Sequence, residues 1–227
     1  MKTSRGGWNS PCARLYETAA LRDVTGATMR PGGLTLTDRA LEFCCLPHGS
    51  RLLDAGCGVG ATVEHLSSRH GFTAAGVDIS PELIAEGLLR NPALSLAEAA
   101  VETLPFTEES LDGVFCECVL SLLDQPLDVL LEFRRVLRSG GYLILSDMYS
   151  RGEYVQADSE SGLPGLATHG QIEALLSRSG YMTLLWEDHT FLLTELAARL
   201  ILAHGSLAGP GCGTTRPGYY LLVARKE

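Results

Sequence analysis

The chain is short of basic residues: 18 Lys and Arg stand against 27 Asp and Glu, for a net charge of −9. That balance excludes a general nucleic-acid binder, whose phosphate contacts need clustered Lys and Arg, although a local basic patch stays open. The opening stretch "MKTSRGGWNSPCARLYE" has a basic start but no apolar core of a secretory signal. Long hydrophobic runs are missing too. The most apolar late stretch, "LTELAARLILAHG", carries Glu195 and Arg199 and reads as an amphipathic helix rather than a membrane span. A soluble, cytoplasmic protein is expected. The seven cysteines are odd in number, irregularly spaced and free of any C-x-x-C pair. Neither a disulfide framework nor a closed zinc site is therefore expected, and no metal is called for. Most of these thiols should be reduced and buried as small apolar side chains. Internal repeats and low-complexity tails are absent.

What is present suits one sizeable core: 227 residues, 45% of them hydrophobic. Helical and strand patterns alternate from about residue 37. "TDRALEFCCL" is amphipathic at helical spacing with Thr37 as its N-cap, and "RLLDAG" reads as a buried parallel strand. "ATVEHLSSRHG" follows as a helix closed by Gly71, then the strand "FTAAGVD". Ser80 as N-cap and Pro81 at the first helical position start the helix "SPELIAEGLLRN". "ALSLAEAA" is a weaker strand, "LDGVFCECVL" a stronger one, "PLDVLLEFRRVLRSGG" a helix and "YLILSD" a strand. A polar, Gly-rich stretch, "MYSRGEYVQADSESGLPGLATHG", has the length of a functional loop. Helix "QIEALLSRSG", strand "YMTLLWEDH", helix "TELAARLILAHG" and strand "GYYLLVARKE" complete the chain. The expected fold is α/β, a doubly wound, mostly parallel seven-stranded sheet with helices on both faces.

"LLDAGCGVGAT" packs Gly56, Gly58 and Gly60 just beyond a strand end and at the start of a helix. In a doubly wound sheet ligands sit at the carboxyl ends of strands, and bare main chain there lets one lie against the backbone. Asp78 ends the next strand, 22 residues after Gly56, where a carboxylate can accept from both ribose hydroxyls. The pair points to a nucleoside-containing cofactor. Because "GCGVGA" also satisfies G-x-G-x-x-A, a dinucleotide remains open.

"LLDAGCGVG", "VDIS", "ETLPF", "LDGVFCECVLSLLDQP" and "EFRRVLRSGGYLILSD", in this order and spacing, resemble the class I S-adenosylmethionine-dependent methyltransferases. The likeness is greatest to the small single-domain group acting on small molecules and lipids. The resemblance implies a Rossmann-like methyltransferase fold over 37–227, an N-terminal cap segment at 1–36, and a substrate-side loop at 148–170. It implies S-adenosylmethionine as cofactor, S-adenosylhomocysteine as product, and a small-molecule acceptor, with the protein a monomer or homodimer. Carried over by position, Asp54, Gly56, Gly58 and Gly60 line the methionine end, Asp78 holds the ribose and Ile79 packs on adenine. Cys116 offers backbone contacts near the methionine, and Gly32 and Gly33 belong to a segment that closes over the cofactor. An acid at Asp54 suits the ammonium and sulfonium of this cofactor and would repel a pyrophosphate. Where many relatives place an adenine-binding Asp, this chain has Ala100; Glu98, or the backbone around Val101 with Leu104 as a wall, is the substitute. Ser139 replaces a common Pro.

On the acceptor side the candidates for catalysis are Glu117, Cys118 and Tyr149, with Asp147, His169 and His189 behind them. His48, His65, His70 and His204 read as helix-end or surface residues. "CECVLSLL" and "YLILSDMYSRG" further resemble the arsenite methyltransferases, in which a cysteine equivalent to Cys118 binds arsenic, a soft ion that prefers thiolates. Those enzymes use another thiol after the "SDxY" stretch, whereas residues 148–211 hold no cysteine and only Cys12 or Cys212 is left to supply one. Two further alternatives are a protein that binds the cofactor without turnover and an NAD oxidoreductase.

Overall fold

The computed structural model describes residues 19–152, 166–205 and 216–227. Helix α1 (Ala19–Thr25) and a 3₁₀ turn (Gly26–Thr28) lead into α2 (Thr35–Cys44). Alternating elements follow: β1 (Arg51–Ala55), α3 (Ala61–Ser68), β2 (Thr73–Asp78), α4 (Pro81–Arg90), β3 (Leu96–Glu98) and β4 (Leu111–Glu117). Then come α5 (Pro126–Val136), β5 (Leu137–Ser150), α6 (His169–Arg178), β6 (Tyr181–Asp188), α7 (Thr190–His204) and β7 (Pro217–Lys226). The seven strands form one sheet in the order β3-β2-β1-β4-β5-β7-β6. Neighbours among β1 to β5 are parallel, and β7 runs antiparallel to both β5 and β6. This is the doubly wound α/β fold expected.

Side chains alternate across the pleat, so each strand feeds two cores. Leu53, Val114, Leu143 and Leu222 point to one face, where α5 covers them with Val129, Leu130 and Phe133. Leu52, Phe115, Ile144 and Leu221 point to the other, under Leu36, Ala40 and Leu41 of α2 and Val63 and Leu66 of α3. A smaller cluster of Leu21, Val24, Met29, Val59, Leu83 and Leu196 pins the segment after α1 against α4 and α7. Strand order reverses between β1 and β4, which opens a crevice beyond their carboxyl ends. Asp54, Asp78 and Glu117 stand at the ends of β1, β2 and β4 around it. Among the described residues no helix is long and apolar enough to cross a membrane.

Several boundaries differ from the sequence expectation. α2 starts at Thr35 with Leu34 as its N-cap, so Thr37 is a buried helical residue and not the cap. "LRSGG" belongs to β5 rather than to the preceding helix, because Leu137 pairs with Leu111 of β4. β5 also runs on through Ser150, paired with β7 from Tyr142–Arg225 to Ser150–Pro217, so the expected 148–170 loop opens as strand. The remainder of that loop at 153–165 lies outside the described residues, as does the turn at 206–215. Ser80 caps α4 as expected, its hydroxyl accepting from the Leu83 N–H at 3.3 Å.

Candidate functional site

The loop after β1 is tied to β2 by its own backbone: Gly56 and Cys57 N–H both donate to the Val77 carbonyl, at 2.8 and 2.9 Å. Gly56 and Gly58 then take φ of 84° and 54°, a region where a side chain is disfavoured. Gly58 N–H donates to Asp78 Oδ2 at 2.8 Å and Ser80 N–H to Oδ1 at 2.9 Å. Asp78 therefore sets the shape of the glycine loop as well as facing the crevice.

The crevice is a cavity of about 760 Å³, of the size that small molecules and cofactors occupy. Its wall holds the acids Asp54, Asp78, Glu102, Glu117, Asp124 and Asp128 and, among its described lining residues, one cation, Arg30. Arg30 and Glu117 form a buried ion pair, Nη2 to Oε2 at 2.9 Å, with side chains 7% and 2% exposed. Arg30 also donates to Thr37 Oγ1 (2.9 Å) and, through Nε, to the Gly33 carbonyl (2.9 Å). Glu117 accepts from Thr37 Oγ1 at 3.0 Å and from Thr62 Oγ1 at 3.1 Å. Burial alone would lower the Arg30 guanidinium, but the Glu117 charge together with Tyr219, Asp54 and Cys118 more than offsets it and the pKa rises. Asp54 is pushed up to about 8 by burial first and the Glu117 charge second, with Arg30 opposing. The crevice is therefore rich in acids, with its one described lining cation already paired to Glu117, and that is a fit for a cationic ligand.

Of the residues singled out from sequence, Asp54, Gly56, Gly58, Asp78, Ile79, Val101, Glu117 and Cys118 line this cavity. Others lie elsewhere. Gly33 meets Arg30 through its backbone, its carbonyl accepting from Nε and its N–H donating to the Arg30 carbonyl, while Gly60 caps α3, where a Cβ would press within 2.9 Å of Leu96. Leu104 is in the core beside α5 and its N–H donates to Glu132 Oε1 (2.7 Å). Cys116 points into the same core, and Glu117, Cys118 and Val119 form the wall instead. The Tyr149 hydroxyl donates to Asp188 Oδ2 at 2.6 Å and its ring meets Trp186 and Tyr220 edge-on, away from the cavity wall. Asp147 accepts from Ser121 N–H and Oγ and from Met148 N–H. His169 stacks on Trp186 at 3.8 Å between centroids, and His189 pairs with Glu187. Glu98 is exposed, whereas Ala100 does line the wall beside Glu102 and Thr103. Cys118, at φ 58°, places Sγ 3.1 Å from the Tyr219 hydroxyl. Arg30, Thr37 and Thr62 were missed by the sequence reading; their shared partner Glu117 is remote in the chain.

A glycine loop, two strand-end carboxylates and a sheet reversing order between β1 and β4 define a nucleoside-binding α/β protein. The methyltransferase domain family matches residues 53–145, the stretch that carries the loop, Asp78 and Glu117. The methyltransferase GfsG of Streptomyces halstedii is 31% identical over 129 residues, 53% of this chain and 45% of that protein. The uncharacterized methyltransferase YodH of Bacillus subtilis (strain 168) is 34% identical over 136 residues, 58% of this chain and 57% of that one. The chain thus spans about half the length of these curated relatives. Among solved structures, the geranyl diphosphate C-methyltransferase of Streptomyces coelicolor A3(2) superposes with a TM-score of 0.73 at 16% identity, covering 100% of each chain. Residues 53–145 thus resemble a methyltransferase domain, and the solved structures share its α/β fold.

Proposed function

We propose that the protein binds S-adenosylmethionine in this cavity and transfers its methyl group to a small-molecule acceptor. The observation that carries the reading is an acid-rich crevice with bare main chain at the tip of β1 and the Asp78 carboxylate at the tip of β2. Gly56 and Gly58 leave room for the methionine end, Asp54 answers its positive charge, and Arg30 is the group suited to its carboxylate. Asp78 serves the ribose, and Ile79, Ala100 and Val101 make an apolar wall for adenine. When bound, the cofactor supplies a methyl carbon on a sulfonium, whose departure leaves a neutral thioether. No acid is needed for that leaving group, so the protein's main task is alignment, worth about 7–11 kcal/mol at the limit. Glu117 is held by Arg30, Thr37 and Thr62, and we read it as a positioning residue rather than a base. The arsenite reading is not favoured, because residues 148–211 hold no cysteine to serve as a second thiolate beside Cys118. A cytoplasmic monomer or homodimer that does not bind nucleic acid generally completes the proposal.

The test is calorimetry with S-adenosylmethionine, S-adenosylhomocysteine and NAD, followed by S-adenosylhomocysteine production against a panel of small-molecule acceptors. Binding of the first two, with turnover of at least one acceptor, is expected. Binding of NAD alone would overturn the cofactor, and tight binding with no turnover would favour a non-catalytic role.

Asp54 makes a second expectation. A cation beside it favours its ionised form, so below pH about 8 cofactor binding expels a proton. Affinity for S-adenosylmethionine should rise about tenfold per pH unit from roughly pH 6 to 8 and then level off. Binding enthalpies in buffers of different ionisation heat count the released proton; Asp54→Asn should remove both the release and the slope.

A further inference from the structure

On another part of α2 and α3, three side chains converge that the methyltransferase reading does not use. Asp38 Oδ1 lies 2.6 Å from His65 Nε2 and 2.9 Å from His70 Nε2, and the two nitrogens are 3.2 Å apart. Asp38 is in the first turn of α2, His65 is on α3, and His70 follows α3. Hydrogen bonding alone does not account for all three contacts. If both imidazoles donate to the carboxylate, two N–H groups face each other at 3.2 Å with neither accepting. If one is bare at Nε2, its lone pair faces the carboxylate oxygen. A shared cation resolves both conflicts.

We propose that Asp38, His65 and His70 form a binding site for a divalent transition metal, zinc by donor type, that clamps α2 to α3. Two nitrogens about 2.0–2.1 Å from a tetrahedral zinc lie ~3.3–3.4 Å apart, close to the 3.2 Å found here. The carboxylate is the arm that yields on loading, since the Asp38 side chain is 41% exposed against 12% for His65 and 29% for His70. The His70 ring is steadied by stacking on Phe72, 6.0 Å between centroids. Two imidazoles and one carboxylate leave a fourth position open, and the half-exposed site gives an ion a way in.

The clamp has a consequence for the cavity. Asp38 adjoins Thr37, and His65 lies one turn beyond Thr62; these two hydroxyls are the ones that hold Glu117. A metal bridging the helices would fix both hydroxyls from outside. The proposal stands whether or not the crevice binds S-adenosylmethionine, because its test reads metal binding and thermal stability alone.

Chelator-stripped full-length protein is titrated with zinc chloride by calorimetry and with cobalt(II) by absorption. One ion per chain is expected, with visible cobalt bands and no thiolate charge-transfer band in the near ultraviolet, and a melting temperature that climbs with free zinc. His65→Ala and His70→Gln should each weaken binding more than about 100-fold, beyond what loss of an outer-shell partner costs. His204→Ala, at the exposed end of α7, should leave it unchanged. Absence of stoichiometric binding to the unaltered chain, a thiolate band, or undiminished affinity in both histidine variants would each overturn the site. The first two readouts need no variant to fold.

Discussion

Gly58→Val is expected to weaken S-adenosylmethionine binding more than about 1,000-fold, equivalent to about 4 kcal/mol, while the protein stays folded. Gly58 sits at φ 54°, where a β-branched residue is a genuine outlier, and an added Cβ would lie 2.7 Å from Met29 Cε. That methyl is the far end of a flexible side chain and can give way, so the folding cost is modest, about 1–3 kcal/mol. The cofactor cannot give way so easily, because the new methyl groups occupy the main-chain surface it would rest on. Gly60→Ala makes the contrast. A Cβ there presses on Leu94 and Leu96 behind the loop rather than into the cavity, so stability should fall while the folded fraction keeps its affinity. Calorimetry and thermal melts on the two variants separate the roles. Affinity of Gly58→Val within about tenfold of the unaltered protein would contradict the assignment of the cavity.

The order of strands and helices was legible because it rests on local periodicity and short punctuation signals. Ser80 before Pro81 marks a helix start that the structure keeps, and the run "LLDAG" ends where β1 ends. "LRSGG" misled because the apolar spacing of α5 continues through Leu137, while that residue is claimed by a neighbour in another part of the chain, Leu111. Thr37 misled for a similar reason. A threonine before an amphipathic run reads as a cap, yet its hydroxyl serves Glu117, 80 residues away. Tyr149 follows the "LSD" of β5, a position where acceptor contacts were expected, but strand alternation turns it into the core with Trp186 and Tyr220. The glycine loop and Asp78 were readable because their spacing in the chain mirrors their contact, Gly58 N–H to Asp78. Nothing in the spacing of Asp38, His65 and His70 announces a cluster; only the packing of α2 on α3 makes one.

Arg30→Ala should destabilise the protein by about 3–5 kcal/mol, the cost of leaving one member of a buried pair without its partner. For a chain of this size that is a fall of about 6–20 °C in melting temperature. The loss comes from Glu117, which would keep only two threonine hydroxyls at a site 2% exposed. Glu117→Ala should cost a similar amount for the mirror reason. The double variant Arg30→Met, Glu117→Leu should be much less destabilised than the sum, because exchanging a buried pair for apolar groups of similar size is often near neutral. A cost below about 1 kcal/mol for Arg30→Ala, the range of exposed pairs, would refute the buried pair itself. The double variant then asks why the pair is there at all. Arg30 is the charge that opposes the upward push on Asp54, so without it that carboxyl should hold its proton to a pH above about 8. In Arg30→Ala the rise of cofactor affinity with pH should move upward with it, whereas the double variant also loses the Glu117 charge, which raises Asp54 more than Arg30 lowers it, so there the rise should move to lower pH. Stability recovered without binding would mean that Arg30 serves the ligand's carboxylate more than the integrity of the fold.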